Sequence, residues 1–223
     1  MAYNVFGNPI TTKTLERMSE YIGKPITRKD RAKVALDMKN AENKDVNARQ
    51  FVEQLKQRYG NGVATLCVIY NATGDPLTYI TSHDYFGHIW YSPYPYQIEN
   101  GQWGAFLHGK VAGAASGSNA AVVYRGMNQA GDDCDWMLAW SNPWNRIKFS
   151  CKAYTEIREA DHFDNTVWGA ISDKMERSGI HYKDVWNGCW SAASIGDNTT
   201  AVYEAIMTLD DVAKFAPNYE TTG

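Results

Sequence analysis

The sequence lacks most of the markers by which a chain declares its chemistry. It has no Cys-x-x-Cys pair: Cys67, Cys134, Cys151 and Cys189 stand far apart. Metal clips usually take their ligands in close pairs, so no metal site is expected; four free thiols are, in a reducing compartment. A basic field is missing too. The 22 Lys and Arg are outnumbered by 25 Asp and Glu and are scattered among them, for a net charge of -3, so no nucleic-acid partner is expected. Apolar runs reach only about five to seven residues, against the ~20 a membrane-spanning helix needs, which excludes integral membrane association through a helix. The opening Met-Ala-Tyr-Asn-Val-Phe has neither a basic nor an apolar signal-peptide region, and a cytoplasmic location is expected. Gly-x-Ser-x-Gly, His-Glu-x-x-His and a strand-to-helix Gly-x-Gly-x-x-Gly are all absent, so no common enzyme class is marked and no cofactor is expected. Phenylalanine is scarce beside the other aromatics, 7 against 8 Trp and 14 Tyr. Trp and Tyr carry polar handles and favour half-wet positions, so part of this aromatic content is expected at a surface.

The residues that are present change character near Tyr59. Upstream, charged residues alternate with Leu, Val, Ala and Met at helical spacing. "TTKTLERMSEYIG" opens on threonine caps and stops at Gly23; "TRKDRAKVALDMKNA" begins at Thr27 with Asp30 three residues on, the pattern of a capping box. In "DVNARQFVEQLKQRYGNG", Val46, Phe51, Val52, Leu55 and Tyr59 share one face before Gly60 ends the run. These helices are too small to stand alone and should pack on the downstream part of the chain. There, short β-branched and aromatic runs are separated by turn residues every 8–12 positions, the signature of an antiparallel sandwich. "YQIENGQWGAFLHGK" reads as a hairpin about Asn100-Gly101. In "DWMLAWSNPWNR", Trp136, Leu138 and Trp140 alternate with Met137 and Ala139 before the chain turns through Asn-Pro, so the first half reads as core. "DNTVWGAISDKMERSG" restores helical spacing with Val167, Trp168, Ile171 and Met175 on one face. The fold class is therefore α+β: a helical segment at 1–60, then a β-sandwich at 61–215 with an inserted helix at about 164–178, forming one cooperative unit. The tail beyond Pro217 is expected to fray.

Three stretches are candidates for chemistry. "SHDYFGH" sets His83, Asp84 and His88 within six residues, and His162 lies in Asp161-His162-Phe163-Asp164. Were these four to converge, they would make an acid–base site. On a strand, however, His83 and His88 point to opposite sides, and the plainer reading is a polar loop. "HIWYSPYPYQI" offers Trp90, Tyr91, Tyr94 and Tyr96 around two prolines, a platform for a sugar or a choline-like cation or else simply packing. The small-residue run holding Gly109, Gly113 and Gly117 lacks the order of a phosphate loop; it reads as a surface loop that lets a ligand come close.

Nearly the whole chain, from about Gly7 to Leu209, resembles the jasmonate-induced proteins of plants, through "NPITTKTLERM", "YNATGDPLTYITSHDYFGHIWYSPYPYQIENGQWGAFLHG", "GAASGSNAAVVYRG" and "DCDWMLAWSNPWNR". That resemblance implies a stress-responsive protein but no defined activity. The sandwich part is also similar to the actinoporin and fungal fruit-body lectin superfamily, which implies a sandwich that binds phosphocholine or glycans at an aromatic-lined face. Ser141-Asn142-Pro143-Trp144-Asn145 carries this likeness. Ser141 and Pro143 match, while Phe149 stands where that superfamily has tyrosine. The charge-balanced, capped N-terminal helices depart from the free amphipathic helix of a pore former, so pore formation is not expected.

Together these readings lead to an actinoporin-like sandwich that binds a small polar ligand, a glycan ahead of a choline headgroup. The ligand would be held by Trp90, Tyr91, Tyr94 and Tyr96 and by Ser141, Pro143, Trp144 and Asn145. Two alternatives stay open: an enzyme built on His83, Asp84, His88 and His162, and a structural or interaction protein. A homo-oligomer is compatible with each.

Overall fold

The N-terminal helices form where the local chemistry dictates. In the computed structural model, which describes residues 4–214, α1 (Thr12–Leu15) and α2 (Arg28–Asp37) each begin in a capping box. At α2 the Asp30 amide donates to Thr27 Oγ1 at 3.2 Å, and the Thr27 amide donates to Asp30 Oδ2 at 2.8 Å, which satisfies two amides that have no partner within the helix. The first run is shorter than its spacing predicts: α1 gives way to a 3-10 turn at Ser19–Tyr21. Helix α3 (Lys44–Tyr59) stops at Gly60, whose φ of 80° a residue with a Cβ rarely adopts.

The strands build two sheets. The seven-stranded sheet contains β1 (Val5–Phe6), β2 (Ala64–Ala72), β4 (His88–Trp90), β6 (Trp103–Gly109), β10 (His181–Trp186), β11 (Cys189–Ile195) and β12 (Thr200–Leu209), in the order β1-β6-β2-β12-β11-β10 with β4 also on β6. The five-stranded sheet is β5-β3-β7-β8-β9, from β5 (Gln97–Ile98), β3 (Leu77–Phe86), β7 (Ser118–Met127), β8 (Asp133–Asn142) and β9 (Lys152–Glu159). Pairing is antiparallel except between β2 and β12, which run parallel. The turn at Asn100-Gly101 does not close a hairpin. Its flanks, β5 and β6, belong to different sheets, so the same turn chemistry carries the chain from one layer to the other.

Three apolar layers hold the fold together. Cys67, Ile69, Phe106, Tyr124, Trp136, Leu138, Trp140 and Tyr203 fill the space between the sheets. The outer face of the seven-stranded sheet presents Leu66, Val68, Trp103 and Leu107 to Leu15, Ala35, Val52 and Leu55 of the helices, so α1 to α3 share one core with this sheet. On the outer face of the five-stranded sheet, Ala121, Val123, Met137 and Ala139 pack under Trp168, Ile171 and Met175 of α4 (Trp168–Glu176). Helices thus cover both sheets, and β8 is buried on both faces from Cys134 to Asn142. The alternation in "DWMLAWS" sorts its residues between two cores rather than between core and solvent. All four cysteines are buried and free. The chain beyond Pro217 lies outside the described residues.

Candidate functional site

Where β7 and β8 run out from beneath α4, the outer face of the five-stranded sheet stays open and forms a pocket of about 270 Å³. Its floor follows from strand register. Asn119 pairs with Phe86 on one side and with Ser141 on the other, so three consecutive strands send side chains into one place. One wall is the small-residue loop Ala115, Ser116 and Gly117; the facing wall is Pro143, Trp144, Asn145 and Phe149; Glu176 stands where α4 ends. Gly117 is required by closeness: a Cβ there would lie 2.3 Å from the Asn142 carbonyl oxygen and 2.9 Å from Pro143 Cα. Ser141 is buried. Asn119 Oδ1 is buried as well and has no hydrogen-bond partner among the described residues.

The loop after β8 is held in shape by its own side chains. Asn145 Oδ1 accepts from the amides of Ile147 at 3.2 Å and Lys148 at 3.3 Å, an Asx turn. Arg146 anchors the root of the loop, donating to Asn142 Oδ1, to Cys151 Sγ and to the Asn198 carbonyl, and pairing with Asp197. With the turn fixed in this way, apolar side chains of the pocket and of this loop stand in solvent. Ile147 is 99% exposed, Phe86 56%, Phe149 55% and Trp144 52%. An apolar cluster kept in water beside a pocket marks a place where something else docks.

The structure treats the two groups of sequence candidates differently. Ser141, Pro143, Trp144 and Asn145 all line the pocket, and Phe149 joins them. None of Trp90, Tyr91, Tyr94 and Tyr96 does, for reasons of packing. Trp90 lies edge-on to Tyr59 at 5.2 Å, on the helical side of the molecule. Tyr94 stacks on Tyr79 at 5.6 Å and packs against the inter-sheet core, where burial pushes its phenol well above the ordinary value. The Tyr91 ring is taken by the Arg58 guanidinium at 4.5 Å, and Tyr96 stands exposed. Trp90 and Tyr91 touch each other at 5.8 Å, but the four rings do not gather at this pocket.

The four residues of the enzyme alternative do not meet either. His83 stacks on Trp168 at 5.0 Å outside the five-stranded sheet, and burial lowers its pKa despite the neighbouring Asp84. His88 lies 4.4 Å from Trp90 on β4, and His162 bonds Glu159 at 3.1 Å near the protein surface. Asp84 instead meets His108 Nε2 at 3.3 Å, while His108 Nδ1 faces Ser118 Oγ at 2.8 Å. This order of residue types is that of a hydrolytic triad, but Ser118 and His108 are both wholly buried, and Ser118 Oγ is also bonded to Thr65 Oγ1 and the His108 carbonyl. Burial lowers the pKa of His108, outweighing Asp84. The hydroxyl has no room for a substrate, so the trio ties the two sheets together.

Phe86, Asn119 and Glu176 are pocket residues that sequence reasoning passed over. Phe86 sat within a stretch read for its histidines, and the other two reach the site only through strand pairing and through the run of α4.

Sheet pairing and pocket together define a helix-flanked β-sandwich that keeps an aromatic-rimmed pocket at one sheet end. The chain belongs to the Nakanori-like protein family, which it matches over residues 6–210. It is 46% identical over 206 residues to the 23 kDa jasmonate-induced protein of Hordeum vulgare, spanning 90% of this chain and 95% of the relative. A jasmonate-induced protein homolog of Atriplex canescens is 32% identical over 107 residues, 48% of this chain and 57% of that one. Among solved structures, the crystal structure of the lipid binding protein Nakanori is similar with a TM-score of 0.84 at 32% identity, over 91% of this chain and 98% of that one. The family resemblance read from the sequence holds. The glycan ligand and the lectin-like reading do not: the relative that shares nearly the entire fold is described as a lipid binder.

Proposed function

We propose that this protein binds membrane lipid at its exposed sheet end, taking a single head group into the pocket while the surrounding apolar side chains enter the bilayer interface. The observation that carries this reading is the coincidence of the pocket with the solvent-standing Trp144, Phe149 and Phe86, with the fully exposed Ile147 on the same loop as Trp144 and Phe149. A soluble ligand needs the pocket alone and gives no reason to hold Ile147 in water. The lipid binding named for Nakanori, at 32% identity, supports the same reading. The pocket's hydroxyls and amides suit a phosphate, and its aromatic rings suit a choline-like cation. Among the described residues no helix is long and apolar enough to cross a membrane, and α1 to α3 are packed on the seven-stranded sheet, so attachment is peripheral. Four unpaired thiols fit a reducing compartment, and we assign the encounter to a cytoplasmic membrane face.

Flotation with phosphatidylcholine vesicles tests the proposal. Burying one large aliphatic side chain contributes about 1.5–3 kcal/mol, so Ile147→Glu should weaken binding more than tenfold while leaving the melting temperature unchanged. Trp144→Ala should weaken it too. Absence of binding by the wild-type protein, or full binding by both variants, sinks the reading.

A further inference from the structure

Among the described residues, Glu176 is the one charged residue lining the pocket. Three cations on the flanking segments are held by other partners. Arg146 is engaged by Asp197, Asn142, Cys151 and Asn198; Lys152 Nζ donates to the Ser178 carbonyl at 2.7 Å; Lys110 Nζ donates to the Ala114 carbonyl at 2.7 Å. Lys148 rides the turn beside Ile147 and does not line the pocket. Glu176 is also the last residue of α4, so the negative end of the helix dipole and the carboxylate share one sign at one place. The neighbouring Arg177 reaches back along the helix to the Asp173 carbonyl at 3.0 Å. Inside the pocket, Ser116, Ser141, Asn119 and Asn145 offer neutral groups that accept a phosphate without weighing the rest of the head group. Glu176 faces them across a site rimmed by Phe86, Trp144 and Phe149, whose ring faces favour a cation.

We infer that Glu176 selects head groups by net charge at this pocket, admitting zwitterionic ones whose cationic pole balances the phosphate and rejecting those that are net negative, including ones whose ammonium is offset by a carboxylate. The inference rests on the lipid-binding reading above and adds to it a residue that sets specificity. Because Glu176 is exposed at a helix end, its replacement leaves the cores intact.

The experiment compares wild type, Glu176→Gln and Glu176→Lys on vesicles of phosphatidylcholine alone and of phosphatidylcholine mixed equally with phosphatidylserine. Wild type should bind the pure vesicles better. Glu176→Gln should shift that preference by about fivefold toward the mixed vesicles, and Glu176→Lys should reverse it, both effects fading as salt rises. Free phosphocholine and free phosphoserine, added as competitors, separate selection in the pocket from a general surface field. Phosphocholine alone should displace the wild type, and phosphoserine should displace Glu176→Lys. The inference is overturned if wild type binds both vesicles equally, if the preference survives both substitutions, or if phosphoserine displaces wild type as well as phosphocholine does. Wild-type protein that binds neither vesicle refutes the lipid-binding reading itself, which is a different result.

Discussion

Gly117→Ala adds one methyl group where two loops meet. The new Cβ would lie 2.3 Å from the Asn142 carbonyl oxygen, and ordinary contact begins at 3.4 Å, so one of the two backbones must withdraw by about 1 Å. Turning a side chain aside does not make room, because the two nearest atoms are backbone and only the third, Asn119 Oδ1 at 3.1 Å, belongs to a side chain. Asn142 is held from beneath as well: its side chain donates to the Ala64 carbonyl at 3.0 Å and to the Thr199 carbonyl at 3.3 Å. The loop of Ala115 to Gly117 is therefore the part that moves, and it takes one pocket wall with it. Overpacking of this kind costs about 2 kcal/mol, which for a chain of this size lowers the melting temperature by about 4–8 °C. Gly169→Ala is the matched control. Its Cβ meets nothing within 4 Å and sits on α4, where alanine is favoured over glycine by up to ~1 kcal/mol. Differential scanning calorimetry should move the two variants in opposite directions, and only Gly117→Ala should lose binding to phosphatidylcholine vesicles. A Gly117→Ala protein that melts with the wild type and binds as well would refute the packing argument and the pocket wall built on it.

Two further outcomes concern buried charge. Glu156 is buried among Tyr154, Lys174 and Arg158 at 2.6–2.9 Å; burial pushes its carboxyl up, but these partners together pull harder and leave it below the usual value. Its contribution is complete above about pH 4.5 and is lost as pH falls through the lowered pKa. Glu156→Gln should then cost about 2 kcal/mol at neutral pH and less in acid, and a urea-melt difference that stays flat down the acid limb would contradict this. Lys44, also buried, has Tyr70 Oη at 3.2 Å and the Gly101 carbonyl at 2.9 Å as its partners, and burial depresses its pKa despite Glu42 and Asp45. Stability should rise with pH toward 10.5 as that charge is shed. Lys44→Met, which removes the charge but strands the Gly101 carbonyl, should stay within ~1 kcal/mol of wild type at neutral pH and flatten this rise in chemical-denaturation titrations.

How much of this was legible in the sequence depends on how far apart the interacting residues are. The Thr27–Asp30 capping box, the stop at Gly60 and the alternation of Trp136, Leu138 and Trp140 with Met137 and Ala139 are local, and each was read correctly. So was the helix after β9, through Trp168, Ile171 and Met175. The turn at Asn100-Gly101 was misread because a glycine with positive φ reverses the chain the same way within a sheet or between sheets; only the partners of β5 and β6 distinguish the two. The parallel register of β2 with β12 joins residues more than 130 positions apart and leaves no local trace. Ser141, Pro143, Trp144 and Asn145 line one pocket because they are contiguous, and a contiguous set is visible in the sequence. Glu176 was invisible, since nothing within α4 tells where that helix ends over the sheet. The loop from Trp90 to Tyr96 is less legible for the opposite reason: aromatic density is a composition, and it reads the same whether the rings face a ligand or one another.

Helices on both outer sheet faces have a consequence for how the molecule meets a surface. Neither broad side is free to lie flat, so on the proposed reading contact through the pocket end would stand the protein upright, touching the bilayer with a few loop residues. Each copy would then cover little membrane, neighbours could crowd closely, and retention on a surface would become a matter of how many eligible head groups lie within reach. A surface sparse in them would hold the protein briefly, and one rich in them would hold it by rapid rebinding.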